Sequence, residues 1–219
     1  MDYSSTRLLG LAAVMMTLAG AGWADDGVTL VTLADNLMTG YGVGADRTFP
    51  VRIGKALGDD GLPVTIMNPG YQETSQDALF WLMPKEGKVP FVTIPGRFAL
   101  ILIVGNNDCV AYPYAKLPET KANLDHILAL LKARKVAVLV VGTQAQKPCG
   151  EDYGRDYPQV FADLAAEYGD LYYADFLDGL IGHPDLLLRD GEHPNAAGEA
   201  VAVARMLPMV KALVAQVGK

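Results

Sequence analysis

Four short stretches rich in Val, Ile, Leu and Thr, at residues 28–34, 64–67, 99–104 and 136–141, and a fifth, aromatic one at 171–176 punctuate the chain. Each is too short for a stable helix and most are closed by Gly, Asn, Asp or Pro, so they read as buried strands. Between them the pattern changes to helical spacing. Residues 49–57 predict a short amphipathic helix, and 74–82 a second, with Thr74 as N-cap and Asp77 three residues on, close to a capping box. In 118–135 Leu124, Ile127, Leu128 and Leu131 fall at i, i+3, i+4 and i+7, one face of a helix. Residues 142–155 read as a polar loop before a helix over 157–168. Over 195–217, Val203, Leu207, Val210, Val214 and Val217 keep helical spacing, with a kink expected at Pro208, which cannot donate to the carbonyl of Ala204.

Strands that are apolar throughout rather than alternating, each followed by a helix, imply a parallel sheet covered on both faces. The expected fold is therefore α/β: a three-layer α/β/α sandwich on a five-stranded parallel sheet, one domain over 25–219 without repeats or linkers. Ligands of such sheets bind beyond the carboxyl ends of the strands. The segments expected there are 34–40, 68–75, 105–114, 143–155 and 190–195, and most carry polar clusters that a bare connection does not need.

Two of these segments carry chemistry. At Ala34-Asp35-Asn36-Leu37 a strand turns directly into a helix-compatible pattern, a geometry that lifts one side chain clear of the sheet beside free backbone N–H groups. The side chain so displayed is Asn36, whose amide donates and accepts hydrogen bonds but is not a nucleophile. Asp190 and His193 stand three residues apart on a tight turn before the last helix. At that spacing the carboxylate reaches the near ring nitrogen, fixes the tautomer and leaves the other nitrogen as a general base.

Composition narrows the surroundings. The chain has 219 residues, 51% hydrophobic, enough for one well-buried domain. Arg7 followed by an apolar run over 8–22 and by Gly22-Trp23-Ala24 reads as a signal peptide over 1–24, cut before Asp25, against the alternative of an uncleaved anchor. The expected product is exported, periplasmic or secreted, without stable membrane insertion. A net charge of −7 argues against nucleic acid as partner. Two cysteines and three scattered histidines form no zinc spacing, so no metal or other cofactor is expected. In an oxidising compartment Cys109 and Cys149 suit a disulfide, both lying on loops at one end of neighbouring strands; the alternative is Cys109 as a nucleophile. Ser75, the only serine after residue 24, reads as a helix-start residue. His183 reads as a loop residue and His126 as solvated, while Gly40, Gly42 and Gly44 lack the helix and lysine of a P-loop. Tyr112, Tyr114 and Tyr153 are expected on the mouth loops, lining an apolar groove or capping the sheet end.

The run Asp190-Gly191-Glu192-His193-Pro194-Asn195, with Gly105-Asn106-Asn107-Asp108 after the third strand and Ala34-Asp35-Asn36-Leu37 after the first, resembles the SGNH (GDSL) hydrolases, whose fold is flavodoxin-like. It is most similar to the bacterial periplasmic group with thioesterase, lysophospholipase and arylesterase activities. The resemblance implies catalytic Asp190 and His193, an oxyanion-hole asparagine at Asn107 and an oxyanion-hole glycine position at Gln72. It puts the nucleophilic serine at Asn36. Two further glycines of the pattern are replaced, by Ala34 and Asn106.

The expectation is a catalytically impaired pseudo-esterase that keeps a cleft for a small acyl ester, lipid or glycan, or for a protein partner, as a monomer. Two alternatives stand beside it: an ester hydrolase in which Asp190 and His193 activate water, and an interaction module with a filled cleft. Export is tested by N-terminal sequencing of the secreted or periplasmic protein, with Asp25 expected as the first residue; a start at Met1 in a membrane fraction refutes it.

Overall fold

In the computed structural model, residues 27–83, 96–111, 116–145 and 147–217 are described. The expected signal segment, Tyr112 and Tyr114 lie outside them. Five parallel strands, β1 (Val28–Ala34), β2 (Val64–Met67), β3 (Arg97–Ile103), β4 (Ala137–Val141) and β5 (Leu171–Tyr173), form one sheet in the order β2-β1-β3-β4-β5. All seven residues of β1 are buried, as are six of seven in β3. Central strands of a sheet covered on both faces need apolar residues at every position, which is why neither alternates.

The helices are α1 (Asn36–Thr39), α2 (Phe49–Asp59), α3 (Ser75–Leu82), α4 (Asp108–Ala111), α5 (Leu117–Ala133), α6 (Glu151–Tyr168) and α7 (Ala196–Val217). On one face Leu30, Ala99, Ile101 and Leu139 pack with Phe49, Ile53 and Leu57 of α2 and with Met206, Val210 and Leu213 of α7. On the other, Val31, Leu33, Leu100 and Leu102 meet Leu82 of α3, Leu124, Ile127 and Leu131 of α5, and Phe161 and Leu164 of α6. The expected α/β/α sandwich is what the chain forms.

Two boundaries differ materially from the sequence reading. α6 starts at Glu151 rather than 157, so part of the expected polar loop is helix. Gly150 at φ 85° opens it, and Glu151 and Asp152 lie in the first turn, where the helix dipole favours carboxylates. Pro158 is tolerated one turn later; the hydrogen bond it deletes is the one to Gly154. β5 stops at Tyr173 rather than 176, because the chain swings inward. There the Phe176 N–H donates to the Gly142 carbonyl at 2.9 Å, and its ring packs on Phe49 at 5.5 Å. Only glycine fits at 142, where a Cβ would collide with the carbonyl of Ala174. The one-turn helix α4 was not anticipated, and α7 runs as one element through Pro208.

Going from β1 to β2 the chain moves to one side of β1, then returns across it to β3. The topological switch point therefore lies between β1 and β3, where open α/β sheets hold their ligands. At this end Cys109 and Cys149 form a disulfide between the loops after β3 and β4, with Cα atoms 5.4 Å apart. It closes a loop with a sequence separation of 40. Chain-entropy reasoning gives about 4 kcal/mol as an upper figure for such a loop. The double substitution Cys109→Ser/Cys149→Ser should lower unfolding free energy by about 2–4 kcal/mol in urea titrations.

Candidate functional site

β1 ends in a tight cap. The Asp35 N–H donates to the Ile103 carbonyl at 2.9 Å, which carries the β1–β3 ladder one residue further. Its Oδ1 accepts from the Leu37 N–H at 3.0 Å and so N-caps α1. Gly40, at φ 86°, ends this single turn. Asn36 is thereby presented, half-buried, at the carboxyl end of β1, as the strand–turn–helix pattern predicted.

β3 ends one strand away with Gly105-Asn106-Asn107-Asp108. Gly105 takes φ 100°, and a Cβ there would lie 3.1 Å from Cγ2 of Thr120. Asp108 anchors the turn: its Oδ1 accepts from the Ser75 N–H at 2.7 Å, and its Oδ2 from the hydroxyls of Ser75 at 2.5 Å and Thr120 at 2.7 Å. Asn123 Nδ2 donates to Ser75 Oγ at 3.0 Å. Ser75 is thus wholly buried in a structural network, as its helix-start reading implied. With Asp108 pinned, Asn107 faces Asn36, and its Nδ2 donates to Asn36 Oδ1 at 3.3 Å.

The turn before α7 supplies the third component. Asp190 Oδ1 accepts from the N–H groups of Glu192 at 2.9 Å and His193 at 3.0 Å, and Oδ2 lies 3.1 Å from His193 Nδ1. Burial pushes the Asp190 carboxyl up, but the hydrogen bonds from His193 and Glu192 outweigh it and hold the group below the usual carboxylate range. The turn is itself fixed: Asn195 donates to the carbonyls of Asp185 and Leu187, and its Oδ1 caps α7 through the N–H groups of Ala197 and Gly198. With Nδ1 held by the carboxylate, Nε2 is the nitrogen left for chemistry. It is buried and has no hydrogen-bond partner, and the ring of Tyr41 lies over the imidazole with centroids 4.6 Å apart.

Gln72 is brought to the same sheet end, buried, by an isolated parallel bridge between Ala34 and Tyr71. Its backbone N–H donates to the Ala34 carbonyl at 3.0 Å and its Nε2 to the Gly70 carbonyl at 3.4 Å. Tyr153 is not on a mouth loop; it lies in the first turns of α6, its hydroxyl 3.0 Å from Thr120 Oγ1 and its ring stacked on Tyr157. His126 is exposed on α5, as expected of a solvated residue, and His183 is exposed in the loop before residues 184–186, as its loop reading implied. Among the described residues no cluster of His, Cys, Asp or Glu could hold a metal ion.

The structure adds two participants that the sequence reading passed over. Tyr41 was legible only as the residue between two glycines. Asp35 was read as part of the turn, but its Oδ2 is fully buried without a hydrogen-bond partner. Burial pushes its carboxyl up to about 7, the Leu37 N–H pulls it down and the charge of Asp108 raises it again.

Fold and site together define an α/β protein of hydrolase architecture, with an asparagine pair at the switch point of its sheet and a His–Asp pair on the turn before its last helix. The chain belongs to the GDSL-like lipase/acylhydrolase family, whose model matches residues 35–201. It is 24% identical over 206 residues to esterase TesA of Pseudomonas aeruginosa, covering 93% of this chain and 95% of the relative. An arylesterase of Vibrio mimicus is 24% identical over 192 residues, 86% of this chain and 90% of that one. The crystal structure of AlinE4, an SGNH-hydrolase family esterase, superposes with a TM-score of 0.65 at 28% identity, over 85% of this chain and 97% of AlinE4.

Asp35 yields a signed pH prediction. Its folded-state value of about 7 lies above the unfolded 3.8, so the folded protein retains a proton that the unfolded chain has released. Stability drawn from this group is full below the unfolded value and is lost as pH rises towards 7. Asp35→Asn keeps the cap acceptor and removes the titration. Its unfolding free energy relative to wild type should therefore rise across this window, by about 1.4 kcal/mol per unit of displacement, and level off above it. Urea denaturation at a series of pH values measures it.

Proposed function

We propose that this protein is an exported SGNH-fold pseudo-esterase: it keeps the family cleft as a binding site for an acyl or glycosyl ligand, or for a partner, and lacks covalent acyl transfer. The observation that carries this reading is the Asn36–Asn107 contact at 3.3 Å. In a serine esterase the residue displayed after the first strand attacks the ester carbonyl, and the general base takes its proton. An amide cannot do this. Here it also takes up an Asn107 N–H that, in the family's arrangement, would meet the developing oxyanion. The backbone N–H of Gln72, at the position of the second oxyanion donor, is likewise directed to the carbonyl of Ala34.

Magnitude supports the same reading. A serine hydrolase deprived of one triad member retains only about 10³–10⁴-fold catalysis over water. The intact Asp190–His193 hydrogen bond favours a second reading, in which the pair activates water directly. Against it, Nε2 is buried, so the atom that would take the proton is not presented to solvent.

The wild type should therefore not react with fluorophosphonate probes and should hydrolyse p-nitrophenyl esters barely above background. Asn36→Ser should restore labelling and partial turnover, both lost again on adding His193→Ala. Robust wild-type hydrolysis abolished by His193→Ala would establish the water-activating reading instead. Absence of labelling in Asn36→Ser would show a cleft remodelled beyond this position.

A further inference from the structure

The atom on which either reading turns, His193 Nε2, has neither a partner nor access to solvent. A buried ring nitrogen without a hydrogen bond is costly and calls for a reason. Its neighbour is Tyr41, tilted 43° over the imidazole, while the Tyr41 side chain itself remains 58% exposed. Such a residue contributes little to the core, yet its placement is closely controlled. Gly40 and Gly42, at φ 86° and 73°, set the turn on either side of it. A Cβ on Gly40 would collide with Thr48, and one on Gly42 would lie 2.5 Å from Leu188 Cδ1. Leu188 belongs to the turn of the dyad, where its N–H donates to the His193 carbonyl at 2.7 Å. The loop after α1 is thus packed directly against the loop that carries the imidazole.

From this geometry we propose that Tyr41 is a positioning residue and cover for His193: it holds the imidazole against Asp190 and keeps solvent from Nε2 until an incoming ligand displaces its ring. The cover rests on the reading that the Asp190–His193 pair faces the ligand cleft, but not on whether that cleft turns over esters. It sets what reaches the base. A ligand must supply a surface that replaces the aromatic contact, so a small solute such as water is disfavoured relative to a group with an apolar or flat face.

The three histidines of the chain provide an internal comparison, since His126 and His183 are exposed and His193 is not. Carbethoxylation of the folded protein by diethylpyrocarbonate, followed residue by residue by peptide mass spectrometry, reads access to each ring. In the wild type His193 should react several-fold more slowly than His126 and His183. Tyr41→Ala should bring His193 to the rate of His183, whereas Tyr41→Phe, which keeps the ring, should leave it protected. Nitration of the buried Tyr157 reports any general loosening, because a fold disturbed by the substitution would open that ring to reagent as well. Fast modification of His193 in the wild type, or an unchanged His193 rate in Tyr41→Ala, would overturn the proposal. None of these rates depends on ester turnover, so the outcome stands apart from the result for Asn36→Ser.

Discussion

The adjacency of β1 and β3, together with the carboxylate that locks the loop beyond β3, is the constraint on which the site depends. Ala34 pairs with Ile103 at the last register position, so the two chains leave the sheet side by side. Asp108 then ties the β3 exit to the start of α3 through Ser75 and to α5 through Thr120. One buried side chain thus joins three elements. Charge-assisted hydrogen bonds of this kind are among the stronger ones, and removing any partner would leave a buried acceptor unmet. The disulfide at the next residue adds β4's loop to the same anchor. Asn107 is held in place from behind.

Asp35 shows what happens to a second carboxyl a short way off without the same provision. Only one of its oxygens is met, and Asp108 repels its charge. The protein accommodates it by protonation rather than by an ion pair, as expected where burial outweighs the available donors. Tyr157 and Asn106 each add a buried polar atom without a hydrogen-bond partner, and the Tyr157 hydroxyl is pushed up by burial and by the charges of Asp35, Tyr153 and Asp108. Burial thus pushes the Asp35 carboxyl up, whereas hydrogen bonds hold Asp190, on its exposed turn, below the usual carboxylate range.

The chain has the frame of the GDSL-like family, and at the ends of β1 and β3 that frame carries an amide–amide contact between Asn107 and Asn36. The dyad, its carbonyl and N–H supports and the α7 cap all persist. At the ends of β1 and β3, Asn107 donates to Asn36 across the gap between the two loops.

Much of this was legible in the chain. Periodicity is a local property, so the buried runs of β1 and β3, the stripe of α5 and the parallel architecture followed from it. The turns at Asp35-Asn36 and Asp190–His193 were also readable, because capping and i, i+3 reach involve neighbours in sequence. The start of α6 was missed because its first turn is polar and glycine-bearing; its helical state is decided by Tyr153 and Tyr157 packing against the α5 layer. Tyr41 over His193, Ser75 on Asp108 and the pairing of Asn36 with Asn107 join residues 152, 33 and 71 positions apart. Contacts of that range leave no periodic trace, since each depends on where the sheet order brings two loops together. The chain by itself determined the buried strands, the helical stripes and the local turns; only the tertiary structure decided which loop residues meet, because proximity at the sheet end is a property of strand order and not of spacing.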